Sequence, residues 1–177
     1  MVIWLTGLSG SGKTTIANSF LKKIKSYKIK FILIDGDIIR NLFSKELSFQ
    51  KKDRIKQIQK IQLLSKFLSD QGFNVIVAAL YSNKNLMKWN KKNLKDYVEV
   101  YVKAPLELLI KRDTKGLYAD VINKKMKHMV GIDIKWIPPK NPHLTISQKI
   151  DSNPESCSLK IVNFLKTRKK YKTLFKK

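Results

Sequence analysis

The chain has 177 residues, 43% of them apolar, and a formal net charge of +24, which is enough for one α/β core and excludes a disordered chain. Cys157 is the sole cysteine; an internal disulfide and a thiolate metal cluster are therefore excluded, and packing on the last helix is expected of it. No apolar run reaches the length of a membrane span, and the opening Met-Val-Ile-Trp-Leu has neither basic leader nor cleavage site, so a cytoplasmic protein without a membrane partner is expected.

In chain order, Val2–Thr6 reads as a buried parallel strand. A helix from about Lys13 to Ile24 follows a glycine-rich loop, with Ile16, Phe20 and Ile24 on one face. Phe31–Ile34 is a second strand, ending at Asp35-Gly36-Asp37, and a short helix starts near Asp37, whose carboxylate suits a cap. Lys51–Asp70 has helical spacing throughout and is closed by Gly72. A strand over Phe73–Leu80, a helix over Lys84–Leu94, a strand over Val98–Val102 and a helix from Pro105 to Arg112 come next. Residues 113–130 are polar and weakly patterned, as in a mobile lid. The prolines between Trp136 and Pro142 predict an extended passage. His143–Ser147 then makes a last strand, Pro154 to about Lys169 a last helix, and the basic end from 167 to 177 a frayed tail. This alternation predicts a single α/β domain over residues 1–177, a parallel sheet with helices on both faces.

The charge invites a nucleic-acid partner. Against it, the lysines are spread along the whole chain without a recognisable binding motif, and a solvated, repelling surface is the expected reading. Lysine outnumbers arginine 33 to four. Where lysine is used nearly everywhere, Arg40, Arg54, Arg112 and Arg168 mark places that need a planar two-pronged donor. His128 and His143 are too far apart in the chain to suggest a metal site.

The loop Gly7-Leu8-Ser9-Gly10-Ser11-Gly12-Lys13-Thr14 is a complete phosphate-binding sequence between a predicted strand and a predicted helix. Gly7, Gly10 and Gly12 let backbone N–H groups surround a polyphosphate, and the helix turns its positive end toward it. Lys13 is expected on the β and γ phosphates and Thr14 on Mg²⁺, with Ser9, Ser11 and Thr15 completing an ATP site. Asp35, Asp37 and Arg40 crowd a strand end, where parallel sheets place ligands. There Asp35 suits the metal and Asp37 an attacking hydroxyl, which makes Lys13 and Asp37 the candidate catalytic pair. The alternative for Asp37 is a plain helix cap with a surface ion pair.

These pieces resemble adenylylsulfate kinase, which moves the γ-phosphate of ATP to the 3′-hydroxyl of adenosine 5′-phosphosulfate. The shared segments are GLSGSGKTTIA from Gly7, IDGDIIR ending at Arg40, Phe49 with Asp53-Arg54, Tyr97–Val102 with Pro105-Leu106-Glu107, Arg112–Tyr118, and Gly131-Ile132-Asp133. They run in family order to about Ile146. The resemblance implies a P-loop fold, ATP with Mg²⁺, a mobile lid, a nucleotide acceptor and a homodimer. It also implies that Asp37, Arg40 and Arg54, with Lys115, hold the acceptor nucleotide, that Phe49 clamps its base, and that Arg112 and Lys115 belong to the lid that closes over ATP, with Arg112 on the ATP itself.

Several positions depart from the family pattern. Met129 replaces the second aromatic base clamp, and Gln57 stands where the family has an acceptor-binding Asn. Gln59 and Lys60 replace a pair of arginines. Leu80-Tyr81-Ser82 replaces a loop with a small serine at the Tyr81 position. The departures lie on the acceptor side and leave the ATP side intact, which points to a changed acceptor. Two nucleotide 3′-kinase readings follow: a capsule-biosynthesis kinase acting on cytidine diphosphoramidate, favoured by the loss of one stacking face, and adenylylsulfate kinase itself. A nucleic-acid-binding ATPase is the third reading and rests on charge alone.

Overall fold

The computed structural model describes residues 1–43 and 46–175. In chain order these form β1 (Val2–Thr6), α1 (Lys13–Ile24), β2 (Ile32–Asp35), α2 (Gly36–Phe43), α3 (Lys51–Asp70), β3 (Val75–Ala78) and α4 (Lys84–Asn93). Then come β4 (Tyr97–Lys103), α5 (Leu106–Arg112), α6 (Leu117–Ile122), β5 (Leu144–Ser147) and α7 (Pro154–Thr167). The strands form one sheet in the order β2-β3-β1-β4-β5, parallel at every pairing, with Val2 opposite both Val75 and Tyr97. β1 lies at the centre and is buried at every position, as a strand covered on both faces must be.

Alternate side chains of the central strands divide between two cores. Ile3, Leu5, Ile76 and Val100 pack against Ile16 and Phe20 of α1 and Ile161 and Leu165 of α7. Val2, Trp4, Val75 and Val77 pack against Ile58 and Ile61 of α3 and Leu86 and Met87 of α4. A smaller cluster joins Leu8 and Leu109 to Tyr118, Met129 and Val130 of the segment expected to be a lid. Cys157 is buried on α7 within the first core. Among the described residues no helix is long and apolar enough to cross a membrane.

Helix ends follow local chemistry. Gly72 takes φ +88° as α3 closes, and its N–H and that of Phe73 bond the carbonyls of Ser69 and Leu68, both at 3.1 Å. Asn83 and Asn153 accept backbone N–H groups at the starts of α4 and α7. The cap of α2 differs from expectation: the helix begins at Gly36, and Asp35 rather than Asp37 caps it, accepting from the N–H groups of Asp37 at 2.9 Å and Ile38 at 3.2 Å. The Asp37 carboxylate is left free of that duty.

Three further expectations are corrected. β3 spans only Val75–Ala78, because Phe73 is half exposed and Leu80 turns toward the cavities described below. The polar stretch 113–130 contains α6, whose first N–H groups are taken by the Asp113 carboxylate, from Tyr118 at 3.0 Å and Ala119 at 2.8 Å. The basic end is not frayed over its described part: Lys169–Phe175 forms a 3₁₀ helix, and Tyr171, Leu174 and Phe175 pack on the first core. Phe175 meets Tyr27 edge to face with ring centroids 5.3 Å apart. Lys176 and Lys177 lie outside the described residues.

Removing residues 169–177 is expected to lower the unfolding free energy by about 1–3 kcal/mol through re-exposed apolar surface, measured by urea denaturation. An unchanged midpoint would show that this packing contributes nothing.

Candidate active site

The phosphate-binding loop leaves β1 and must pass close to β4. A side chain on Gly7 would place its Cβ 2.3 Å from the Val102 carbonyl oxygen, so only glycine fits. Gly10 and Gly12 take φ +73° and +89°, left-handed values that glycine adopts freely. The loop opens onto a cavity of about 320 Å³ lined by Ser9, Gly10, Gly12, Lys13, Thr14 and Thr15, with Asp35, Asp37, Arg112 and Lys115 across from them. Gly7 and Ser11 of the predicted ATP set do not line it. Ser11 is fully buried behind the loop and its hydroxyl has no hydrogen-bond partner, so what it can offer a polyphosphate is its backbone N–H.

Lys13 Nζ donates to the Leu8 carbonyl at 2.8 Å, and burial pushes its ammonium down to about 8, against the raising influence of Asp37. Thr14 Oγ1 donates to Asp35 Oδ2 at 2.5 Å. Because the other Asp35 oxygen caps α2, one carboxylate ties the loop helix to the helix that carries Asp37 and Arg40. Asp37 is ion-paired with Lys115. Lys115 lines this cavity, and through its ion pair with Asp37 the segment expected to be a lid touches the residue that also lines the adjoining one. Arg112 donates to the carbonyls of Lys149 and Ile150.

A second cavity of about 120 Å³ adjoins the first. It brings together Asp37, Arg40, Phe49, Arg54, Gln57, Leu80 and Met129, all predicted on the acceptor side, and adds Met126. Phe49 is 45% exposed, which removes core packing as its role. Arg40 and Arg54 both lie over its ring, 4.7 and 5.2 Å from the centroid. Each guanidinium is anchored on backbone carbonyls, Arg40 on Leu47 and Ser48 and Arg54 on Phe49 and His128. Burial lowers the pKa of both. The Asp133 carboxylate holds the N–H groups of His128 and Met129 and so shapes the turn that delivers Met129 to the wall.

Tyr81 is a correction. Its ring is 1% exposed and stands edge-on to Trp4 at 5.3 Å, outside the acceptor cavity. Its hydroxyl donates to the fully buried Glu99 and meets Tyr97 Oη at 3.1 Å. Burial and the Glu99 charge raise the pKa of this phenol far above its ordinary value. A large ring at this position finds its space in the core, with only its edge on a neighbouring cavity that Arg54 and Leu80 also line.

Sequence reasoning missed Gln148, Ser152 and Pro154 on the first cavity and Met126 on the second. Gln148 directly follows β5, and its place at a strand end was a usable signal. Met126 had none, since nothing in the pattern of 113–130 says which residues turn inward.

A family description for adenylylsulphate kinase matches residues 1–147. The chain belongs to the adenylylsulphate kinase family. That membership makes it an adenylylsulphate-kinase-like nucleotide kinase with an α/β P-loop fold. It is 38% identical over 154 residues to the cytidine diphosphoramidate kinase of Campylobacter jejuni, covering 87% of this chain and 89% of that one. It is 37% identical over 156 residues to a probable adenylyl-sulfate kinase of Synechocystis, covering 88% of each. Among solved structures, the Mycobacterium tuberculosis APS kinase in complex with AMPPNP and APS superposes with a TM-score of 0.85 at 30% identity, covering 93% of this chain and 96% of that one. Family members with different acceptors are thus equally near in sequence.

Two outcomes are expected. A bound polyphosphate stabilises the Lys13 ammonium, whereas the free protein loses that proton as pH rises through about 8. ATP binding should therefore take up a proton above that pH and weaken there, read by calorimetry in buffers of different ionisation enthalpy. Tyr81→Phe strips a donor from a buried carboxylate and should cost about 1–3 kcal/mol of stability, read by chemical denaturation.

Proposed function

We propose that the protein transfers the γ-phosphate of ATP to the 3′-hydroxyl of a 5′-modified nucleotide, and that this acceptor is cytidine diphosphoramidate. The observation that carries the transfer is the position of Asp37, which lines both cavities. A carboxylate there faces the phosphate donor on one side and an acceptor hydroxyl on the other, within reach of a general base or a positioning group. Lys13 and the loop N–H groups supply positive charge where the transferred phosphoryl group gathers negative charge. Arg40 and Arg54 suit the acceptor's 5′-phosphates, as planar fork donors do.

The donor set at Thr14 and Asp35 fits Mg²⁺. It offers one hydroxyl and one carboxylate in mutual contact, and among the described residues no cluster of three His, Cys, Asp or Glu competes for a metal. A hard cation held by so few protein oxygens completes its shell with phosphate oxygens and water, and when bound it neutralises charge on them. Release of Asp37 from Lys115 would free its carboxylate for the hydroxyl.

Two features support the cytidine compound. Met129, 2% exposed, presents a thioether where the family has its second base-stacking ring, which suits a smaller pyrimidine. A relative bearing that activity matches 87% of the chain. Offering Mg-ATP with either cytidine diphosphoramidate or adenylylsulfate and measuring ADP release decides the acceptor. Turnover of adenylylsulfate at an ordinary kinase rate, with none on the cytidine compound, overturns this reading.

Lys13→Ala is expected to abolish measurable turnover. Asp37→Asn should lower kcat by about 10²–10⁴-fold while ATP affinity changes little, measured by steady-state kinetics and equilibrium binding. Wild-type-like kcat in Asp37→Asn would remove Asp37 from the reaction.

A further inference from the structure

Among the described residues, the buried side-chain oxygens without a hydrogen-bond partner belong to Thr6, Ser11, Gln57, Ser69 and Glu99. Of these residues only Gln57 lines the acceptor cavity. It is 4% exposed, and its Nε2 donates to the Gly36 carbonyl at 3.2 Å. That bond fixes which way the amide points, since the flipped group would set two carbonyl oxygens against each other. Oε1 is the end left over. A buried acceptor without a donor is costly, and such a group at a cavity wall asks what donor the cavity's occupant brings.

The neighbours of Gln57 indicate which part of the occupant it meets. Gln57 follows Arg54 by three residues on α3, so the two share a helix face. Arg54 and Arg40 line the same cavity, and guanidinium groups held in place on backbone carbonyls there suit phosphate oxygens. Where Arg54 holds the acceptor's 5′-phosphates, Gln57 beside it on the same wall meets that end of the acceptor.

We propose that Gln57 reads the 5′ terminus by accepting a hydrogen bond from an N–H on it, and thereby selects a nucleotide whose 5′-diphosphate ends in an amide nitrogen. A terminal sulfate or phosphate oxygen offers only lone pairs and would face Oε1 acceptor to acceptor. An amide on phosphorus carries two N–H donors and satisfies the oxygen that the fold leaves open. Discrimination of this kind is strong, because the wrong ligand leaves a buried polar group unpaired. The inference rests on the acceptor reading above and deepens it.

The test holds base and ribose constant, so that donors on either cannot decide it. Equilibrium binding of cytidine diphosphoramidate and of cytidine diphosphate is measured on the wild-type protein and on Gln57→Met. The wild type should bind the amide at least about 10-fold more tightly, a difference near 1.4 kcal/mol, although the diphosphate carries more negative charge toward Arg40 and Arg54. In Gln57→Met the ratio should fall to about one or reverse, as expected of a lost hydrogen bond. Where that variant does not fold, Gln57→Asn keeps an amide but withdraws it by one methylene and should lower the ratio in the same direction. A wild-type ratio of one or less overturns the inference, as does a preference that survives both substitutions. Turnover on the same preparations separates the two readings: phosphorylation of the cytidine amide without a binding preference overturns only the role of Gln57, whereas phosphorylation of adenylylsulfate alone overturns both.

Discussion

One carboxylate joins the two halves of the site. Asp35 stands at the end of β2 and bonds Thr14 of the loop helix through one oxygen and the first N–H groups of α2 through the other. The start of α2 is therefore fixed relative to the phosphate-binding loop, and with it the positions of Asp37 and Arg40. A side chain that capped its helix without bonding Thr14 would leave the two cavities free to shift against each other. The tie is short and partly buried, where a charge-assisted hydrogen bond is stronger than in water.

The site is also a set of cations held ready for polyanions. Lys13, Arg40, Arg54 and Arg112 each donate to backbone carbonyls, on Leu8, on Leu47 and Ser48, on Phe49 and His128, and on Lys149 and Ile150 respectively. Neutral carbonyls satisfy the donors without neutralising the charge, so phosphate oxygens can take over these bonds at a gain. The desolvation that depresses Lys13, Arg40 and Arg54 favours the same exchange. The wider surface charge of +24 adds long-range attraction for nucleotides, which salt screens.

The departures from the family pattern sort by burial once their surroundings are known. Tyr81 leaves the acceptor side and enters a buried polar network, with Tyr97 and Glu99 on β4, Asn90 on α4 and Gln62 on α3. Met129 and Gln57 stay on the cavity wall. Three substitutions that look alike in sequence thus stand at two places, one in the scaffold and two on a cavity wall.

The sequence by itself determined the phosphate-binding loop, the lengths of α1 and α3, the alternation that demands a parallel sheet, and the charged cluster of Asp35, Asp37 and Arg40 at the end of β2. These depend on local rules: glycine where backbone must approach, apolar spacing at the helical period, and charged groups at strand ends. Only the tertiary structure decided that Asp35 rather than Asp37 caps α2, that Tyr81 points into the core, that α6 lies inside a polar stretch, and that Tyr171 and Phe175 pack down. Each of these rests on a partner distant in the chain, such as Thr14 for Asp35 or Glu99 for Tyr81, or on a polar group that settles a helix start without periodicity. The orientation of the Gln57 amide belongs to the same class, because its donor is taken by a carbonyl 21 residues away, which no local pattern can supply.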